Sequence, residues 1–317
     1  ALRQRQRLLT YSEPQGEYDL RCALADYVRE RRNVVTAPEH IVVGAGVQML
    51  LEILCVLLKG RRTVSFPDGS FVQGSTVFAA HGYTVRTRYK DADIIYVSPS
   101  HMNRQGDVMP IQRRLELCAH SADTGAVVIE DDFENDFLYS STPTPSLYAL
   151  GSGNVVYMGA FSALLLPGIR ISFMVLSPAL AAAYHQMKDT FAQTASKTEQ
   201  IALCAYLRDG NMKSRTKKIR RLYTGKAKTL CTLLAKALPD HPVRVGENGL
   251  QVQIETPMLP DSAPFEQAGL ALYIVKEKSG KNIVVVSPSA VPADRLEEAA
   301  HAVAAALYKA EEAAKAK

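Results

Sequence analysis

The sequence predicts an α/β fold, in which a mostly parallel sheet is covered by helices on both faces and is followed by a smaller α+β domain. Short apolar runs alternate with helical patterns over the first half of the chain, which is typical of parallel strands joined by helices. The pattern changes after about residue 178, where a long helical region begins, and short strands and a final helix follow Pro239. We predict a large domain over residues 1–205 and a small one over 206–317.

The composition is that of a soluble globular protein with a sizeable core. Of the 317 residues, 47% are hydrophobic and 22% are charged, and the net charge is +5, which is too small to indicate nucleic-acid binding by itself. No apolar run approaches the roughly 20 residues of a membrane span, and no signal-peptide core is present. We therefore expect a cytoplasmic protein that does not contact a membrane. The five cysteines lack a metal-binding spacing and indicate free thiols and no metal site.

The first elements are a helix, a strand and a second helix. Residues 20–31 show helical spacing with a basic outer face, and 41–43 form a short apolar run. Gly44-Ala45-Gly46 then precedes a helix over 47–58. A glycine turn between a strand and a helix presents backbone N–H groups that can hold a phosphate, although the same glycines also occur in ordinary turns.

The next strands end in polar segments at one edge of the predicted sheet. Apolar runs predict strands at 63–66, 83–88, 94–98 and 126–129. The last strand ends in Glu130-Asp131-Asp132, three carboxylates that repel one another unless a cation or a proton is close. They can cap a helix, or one of them can pair with a ligand cation at the carboxyl edge, where open α/β sheets bind ligands.

The segment 155–175 is the most informative stretch of the chain. It predicts a buried strand, a turn of small residues, a Pro-Gly break and a second apolar strand that begins with Arg170. An unpaired buried charge is very costly. We therefore expect Arg170 to be paired or to hold an anion.

These motifs resemble those of fold-type I pyridoxal-phosphate (PLP) enzymes, and most of all those of the MocR group of GntR-type regulators. Segment 155–175 is similar to the family's Gly-Thr-Phe-Ser-Lys followed by Pro-Gly-x-Arg, and Tyr11-Ser12-Glu13-Pro14-Gln15-Gly16 is similar to the family's entry. Residues 44–48 resemble its phosphate-binding Ser-Gly-Ala-Gln, and 130–133 its Glu-Asp-Asp-Tyr. The resemblance implies the aminotransferase class I fold and is weak beyond about residue 240.

The resemblance also implies a PLP site. It gives the phosphate to Arg170 and to the helix start after Gly46, because guanidinium and helix N–H groups bind phosphate oxygens. It places Asp131 at the pyridine nitrogen, where a carboxylate stabilises the pyridinium, and Tyr11 at the cofactor phosphate of a neighbouring subunit, which implies a homodimer. Phe71 would stack on the pyridine ring and Asn103 would contact the phenolic oxygen. The cofactor-binding positions are Tyr11, Gly46, Val47, Gln48, Phe71, Asn103, Asp131, Phe133, Ser162 and Arg170.

Four departures from the family pattern affect the expected chemistry. Ala163 occupies the position of the Schiff-base lysine and cannot form that bond, so the resemblance implies no catalytic residue here. Phe133 replaces a tyrosine, Ala160 replaces a hydroxyl residue, and 282–288 lacks the arginine that clamps substrate carboxylates. One engineered Lys→Ala change would not explain all four, so we favour a naturally decayed site that binds PLP non-covalently or not at all.

These features favour the effector-sensing domain of a MocR-type transcription regulator without catalysis of its own. Such a domain binds a small-molecule effector, forms a homodimer and reaches DNA only through a winged-helix domain that this chain lacks. Two alternatives stay open. The chain is a PLP-dependent aminotransferase present as a Lys→Ala variant, or it binds another anionic small molecule in the same pocket.

A basic segment over 213–223 has two interpretations. It is the solvated face of a long helix, or it is an auxiliary, salt-sensitive contact to the phosphate backbone of operator DNA.

Overall fold

The structure is a computed structural model that describes residues 5–132, 135, 145–151, 153–276 and 280–315. The chain divides into two compact units. The described residues of the first unit lie in Ala1–Pro99, Met109–Phe133 and Pro143–Arg215. Those of the second unit lie in Ser100–Val108, Glu134–Thr142 and Thr216–Lys317.

A seven-stranded sheet forms the centre of the first unit, in the order β1-β7-β6-β5-β4-β2-β3. Its strands are β1 Ile41–Gly44, β2 Thr63–Phe66, β3 Thr84–Thr87, β4 Ile94–Val97, β5 Val127–Asp131, β6 Val155–Ala160 and β7 Ser172–Val175. Strand β7 is antiparallel to both β1 and β6, whereas the other pairs are parallel. The start of β7 therefore lies at the edge where its two neighbours end, and Ser172 is paired with both Gly44 and Ala160.

Helices, several of which contact the strands of the sheet, complete the first unit. They are α1 Arg5–Leu8, α2 Tyr18–Arg32, α3 Val47–Leu57, α4 Val72–Ala80, α5 Ile111–Thr124, α6 Leu147–Leu150, α7 Pro178–Gln186 and α8 Lys197–Arg208. All four residues of β1 and of β7 are buried, as expected for strands covered on both faces. Leu50, Leu51 and Leu54 of α3 pack with Ile129 and Met174 in one apolar cluster. The predicted α/β architecture is confirmed.

The second unit contains a four-stranded antiparallel sheet with the order β10-β11-β9-β8. Its elements are most of α9 Asn211–Ala237, then β8 Val243–Val245, β9 Val252–Thr256, α10 Ala263–Gln267, β10 Tyr273–Lys276, β11 Asn282–Val286 and α11 Leu296–Lys315. Its core joins α9 and α11 to the sheet through residues such as Leu234, Val284 and Leu307. The predicted α+β character of this part is confirmed. Among the helices that the structure describes, none is long and apolar enough to cross a membrane.

The division of the units differs from the boundary that we predicted between residues 205 and 206. It falls inside α9, between Arg215 and Thr216, and Ser100–Val108 also belongs to the second unit. This loop is held there by hydrogen bonds: Gln253 Nε2 donates to the Gln105 carbonyl at 2.7 Å, and the Asn248 N–H donates to the Gly106 carbonyl at 3.2 Å. Contacts between residues so distant in sequence cannot be inferred from composition or periodicity.

Candidate functional site

The carboxyl edge of the first unit's sheet brings several of the predicted site residues together. The strand order places β7 between β1 and β6, and β5 next to β6. The turn after β1, the start of β7 and the ends of β6 and β5 therefore lie side by side, since adjacent strands are about 5 Å apart. Gly46, Arg170, Ser162 and Asp131 belong to these four places in the same order.

The turn between β1 and α3 has a backbone that only glycine adopts readily. Gly46 has φ 96° and ψ 163°, a region that is essentially restricted to glycine. The Ala45 N–H donates to Oγ1 of Thr194, a residue just before α8, at 2.9 Å. This hydrogen bond fixes the turn. The first N–H groups of a helix have no acceptor within the helix, and in α3 these include the N–H groups of Val47 and Gln48. Gly46, the N-cap residue, has no side chain that could accept from them.

Arg170 lies directly against this turn. A Cβ atom added to Gly46 would lie 2.4 Å from Arg170 Nη2 and 3.1 Å from its Cζ. Arg170 itself has a left-handed backbone, φ 48° and ψ 34°, after the short 3-10 turn Pro167–Ile169. The guanidinium therefore occupies the space that any side chain at position 46 would need.

The expectation that Arg170 is a buried charge is wrong, because its side chain is exposed and precedes β7 rather than lying inside it. Among the described residues, no carboxylate lies within ion-pair distance of it. The cation instead faces the positive end of the α3 dipole, which is a repulsive arrangement by itself. An anion between the guanidinium and the helix N–H groups would be attracted by both.

Asp131 lies at the end of β5 and is paired with a tyrosine that the sequence reasoning missed. The Tyr96 hydroxyl, on β4, donates a short hydrogen bond to Asp131 Oδ2. Burial, and then the charge and hydrogen bond of Asp131, raise the pKa of Tyr96 well above its ordinary value, so the hydroxyl stays protonated. A tyrosine in a buried strand needs a partner for its hydroxyl, and this rule could have identified Tyr96 from the sequence.

Phe71 lies next to this pair. Its ring centroid is 5.3 Å from that of Tyr96 and 6.5 Å from that of Phe66. A Cβ atom on Gly74 would lie 2.2 Å from the Phe71 ring, so the ring packs closely against that glycine. The side chain is half-buried, and it borders the Tyr96–Asp131 pair on the carboxyl side of the sheet.

Glu130 and Asp132 lie in a buried cluster and not with Asp131. Side chains alternate between the faces of a strand, and Arg32 Nε is 3.0 Å from Asp132 Oδ2 while its Nη2 is 3.9 Å from Glu130 Oε1. Tyr157 donates its hydroxyl proton to Asp132 Oδ2 at 2.7 Å. The repulsion expected among the three carboxylates is therefore relieved by one arginine and two tyrosines.

The electrostatics of this cluster set the ionisation of Glu130. Burial, and then the charge of Asp132, raise the pKa of Glu130 to about 7 even though Arg32 lowers it. Burial alone would lower the pKa of Arg32, but Asp132, Tyr157 and Glu130 outweigh it and raise that pKa. The guanidinium therefore remains charged, and Glu130 is the group in the cluster that titrates near neutral pH.

The contacts described above do not include Tyr11, Asn103, Ser162 or Ala163. Ser162 and Ala163 are half-buried in the turn after β6, and Tyr11 is fully exposed at 101%. Asn103 lies in the second unit, where its Nδ2 donates to Asp107 Oδ2 at 2.7 Å and its Oδ1 accepts from the Gln105 N–H at 3.0 Å. Phe133 lies outside the described residues.

Comparison with known proteins identifies the family and the fold of this chain. The family model described as aminotransferase class I and II matches residues 2–293. The chain is 30% identical over 288 residues to the uncharacterized helix-turn-helix (HTH)-type transcriptional regulator YdeL of Bacillus subtilis, covering 86% of this chain and 60% of the relative. It is 28% identical over 253 residues to the HTH-type pyridoxine biosynthesis transcriptional regulator PdxR of Corynebacterium glutamicum, covering 76% and 56%.

Solved structures share the fold. The α-aminoadipate aminotransferase LysN of Thermus thermophilus, complexed with N-(5'-phosphopyridoxyl)-L-leucine, superposes with a TM-score of 0.80 at 23% identity, covering 98% of this chain and 86% of that one. By contrast, this chain spans little more than half the length of the regulators that it matches.

Proposed function

We propose, from the premise that this chain belongs to the aminotransferase class I and II family, that it is the effector-sensing domain of a transcription regulator and binds PLP without a covalent bond. The observation that carries the proposal is the position of Arg170 against Gly46 at the start of α3. The Arg170 guanidinium and the positive end of the α3 dipole lie together there, and no carboxylate among the described residues lies within ion-pair distance of the guanidinium. A phosphate would satisfy both.

The residues fit two parts of PLP. The Arg170 guanidinium and the first N–H groups of α3, at Val47 and Gln48, would bind the phosphate oxygens. Asp131 would face the ring nitrogen, with Phe71 against the ring. The Tyr96 hydroxyl orients the Asp131 carboxylate by donating to one of its oxygens. When bound, PLP supplies an electron-withdrawing ring and an aldehyde.

The residues do not fit covalent attachment. Ala163 stands in the turn after β6 where the family's motif places its lysine, and a methyl group neither bonds to the aldehyde nor moves a proton. The half-buried Ser162 next to it offers a hydroxyl that can donate a hydrogen bond. We infer that the site retains binding and has lost the chemistry of a transaminase.

The regulator part of the proposal is supported by the relatives. Three relatives that are 28–34% identical to the chain over 253–288 aligned residues are named HTH-type transcriptional regulators, and a fourth, at 28%, is named a probable regulatory protein. We propose that the full-length protein carries a DNA-reading domain, that it is a homodimer, and that the exposed Tyr11 contacts the partner's phosphate site. A full-length gene without a coding region for such a domain, or a monomer in sedimentation equilibrium, would remove this part.

The binding part is tested by titrating the chain with PLP and following its thermal unfolding. We expect saturable stabilisation, about 2.7 kcal/mol at a free concentration near 100 Kd. Arg170→Gln removes a charged hydrogen-bond donor and should raise Kd roughly tenfold or more. Arg86→Gln, which removes an exposed arginine from the edge strand β3, is the matched control and should leave Kd unchanged.

Three results would count against the proposal. Equal weakening by Arg170→Gln and Arg86→Gln would show that PLP binds through general charge attraction. Stabilisation by another phosphorylated ligand, with no effect of PLP, would favour a different anion in the same pocket. Transamination by Ala163→Lys would support the alternative that the chain is an aminotransferase in variant form.

A further inference from the structure

All the charged side chains of helix α9 are positive. Its 27 residues include lysines and arginines throughout and no aspartate or glutamate. The part from Thr216 onward belongs to the second unit. Within that part, the exposed basic side chains are Lys217, Lys218, Arg221, Lys228 and Lys236.

The helix is fixed in its rotation by its apolar face. Ala227, Leu230 and Leu234 are 0–1% exposed and pack in the core of the second unit with Val284 and Leu307. At about 100° per residue, Lys217, Arg221 and Lys228 point within about 40° of one another on the side away from that core. Lys218 and Lys236 point about 60–100° to one side of these three. We call the five exposed basic residues the α9 stripe.

The α9 stripe differs from several exposed arginines of the protein in its ion pairing. Arg29, Arg113 and Arg295 each pair with a carboxylate three residues away on the same segment. In contrast, no carboxylate in the described part of the chain lies within ion-pair distance of Lys217, Lys218 or Arg221. Their charges are therefore available to an external partner.

We propose that the α9 stripe binds the phosphate backbone of duplex DNA directly, without reading its sequence. From Lys217 to Lys236 the stripe is about 28 Å long, close to the roughly 34 Å of one DNA turn. Such contacts supply affinity and position, while base contacts supply specificity. Leu222 is the one exposed large hydrophobic side chain of α9, and an anionic membrane would require a more apolar face.

DNA binding by the α9 stripe would depend neither on PLP binding nor on the regulator assignment. It adds a second DNA contact to the DNA-reading domain that we proposed for the full-length protein. The α9 stripe lies wholly on described residues of the second unit. DNA binding by the stripe can therefore be tested with this chain alone.

The test is fluorescence anisotropy of a labelled mixed-sequence duplex of about 20 base pairs, titrated with the 317-residue protein at several salt concentrations. One variant combines Lys217→Gln, Lys218→Gln and Arg221→Gln. The matched control combines Lys59→Gln, Lys90→Gln and Lys188→Gln, which removes the same charge from exposed lysines of the first unit.

We expect the stripe variant to bind roughly tenfold or more weakly at low salt, and the slope of log K against log salt to fall in magnitude by about 2 to 3. The control should lose much less. Unchanged circular dichroism and melting temperature are expected for both variants, since all six side chains point to solvent. Equal losses in both variants, or no binding by the natural chain, would overturn the proposal. So would binding to phosphatidylserine vesicles or polyglutamate without binding to the duplex.

Discussion

At the scale of single residues, the proposed phosphate site depends on one glycine and one arginine. Gly46 has a backbone that other residues rarely adopt, and the Arg170 guanidinium fills the space next to it. The family resemblance implied that both belong to one phosphate site. The sequence could not predict that Arg170 is exposed, because the apolar residues around it suggested a buried strand. In the structure Arg170 directly follows a 3-10 turn and precedes β7.

Substitution of Gly46 separates backbone strain from the loss of the site. We expect Gly46→Ala to lower the free energy of unfolding by about 1–3 kcal/mol and to displace Arg170, so that PLP affinity falls. Gly60→Ala is the control, since Gly60 also has a positive φ, 107°, but nothing lies within 4 Å of an added Cβ. Urea unfolding and PLP titration measure the two effects.

The control should lose stability without losing PLP affinity. A Gly46→Ala protein that binds PLP as tightly as the natural chain would show that the close approach of Arg170 has no part in binding.

At the scale of elements, strand β5 explains how three adjacent carboxylates coexist. Alternation along the strand sends Asp131 to one face, toward Tyr96, and Glu130 to the other, toward Arg32. The sequence left two interpretations of the end of this strand, a helix cap and a ligand edge. It could not assign a partner to each carboxylate, because Arg32 and Tyr96 approach from elements that are distant in sequence.

The buried Glu130 should make stability depend on pH. Its pKa is about 7 in the folded chain and about 4.3 when unfolded, so the folded state binds more protons between these values. The free energy of unfolding therefore falls as pH rises from about 4.5 to 7. We expect the stability of the natural chain relative to Glu130→Gln to fall by about 1–3 kcal/mol between pH 5 and pH 8.

Denaturant unfolding of both proteins at the two pH values measures this difference. Glu116→Gln removes a carboxylate from an exposed pair with Arg113 and should show no such trend. A stability difference between the natural chain and Glu130→Gln that is the same at pH 5 and pH 8 would contradict the raised pKa.

At the scale of the whole molecule, the alternation of strands and helices was sufficient to predict the architecture of the first unit. The predicted strand at 63–66 coincides with β2, and the predicted helix at 47–58 with α3 to within one residue. The assignment of Ser100–Val108 to the second unit could not be predicted. It depends on hydrogen bonds to residues 246–253, which no local pattern encodes.

We propose that this aminotransferase-like chain holds PLP without bonding to it. The most direct measurement is the absorbance spectrum of a PLP titration, followed by borohydride reduction and mass spectrometry of the intact protein. We predict saturable binding with the spectrum of the free aldehyde and no stoichiometric mass increase after reduction. A reduced adduct of one PLP per chain on a single lysine, or a titration without saturation, would contradict the account.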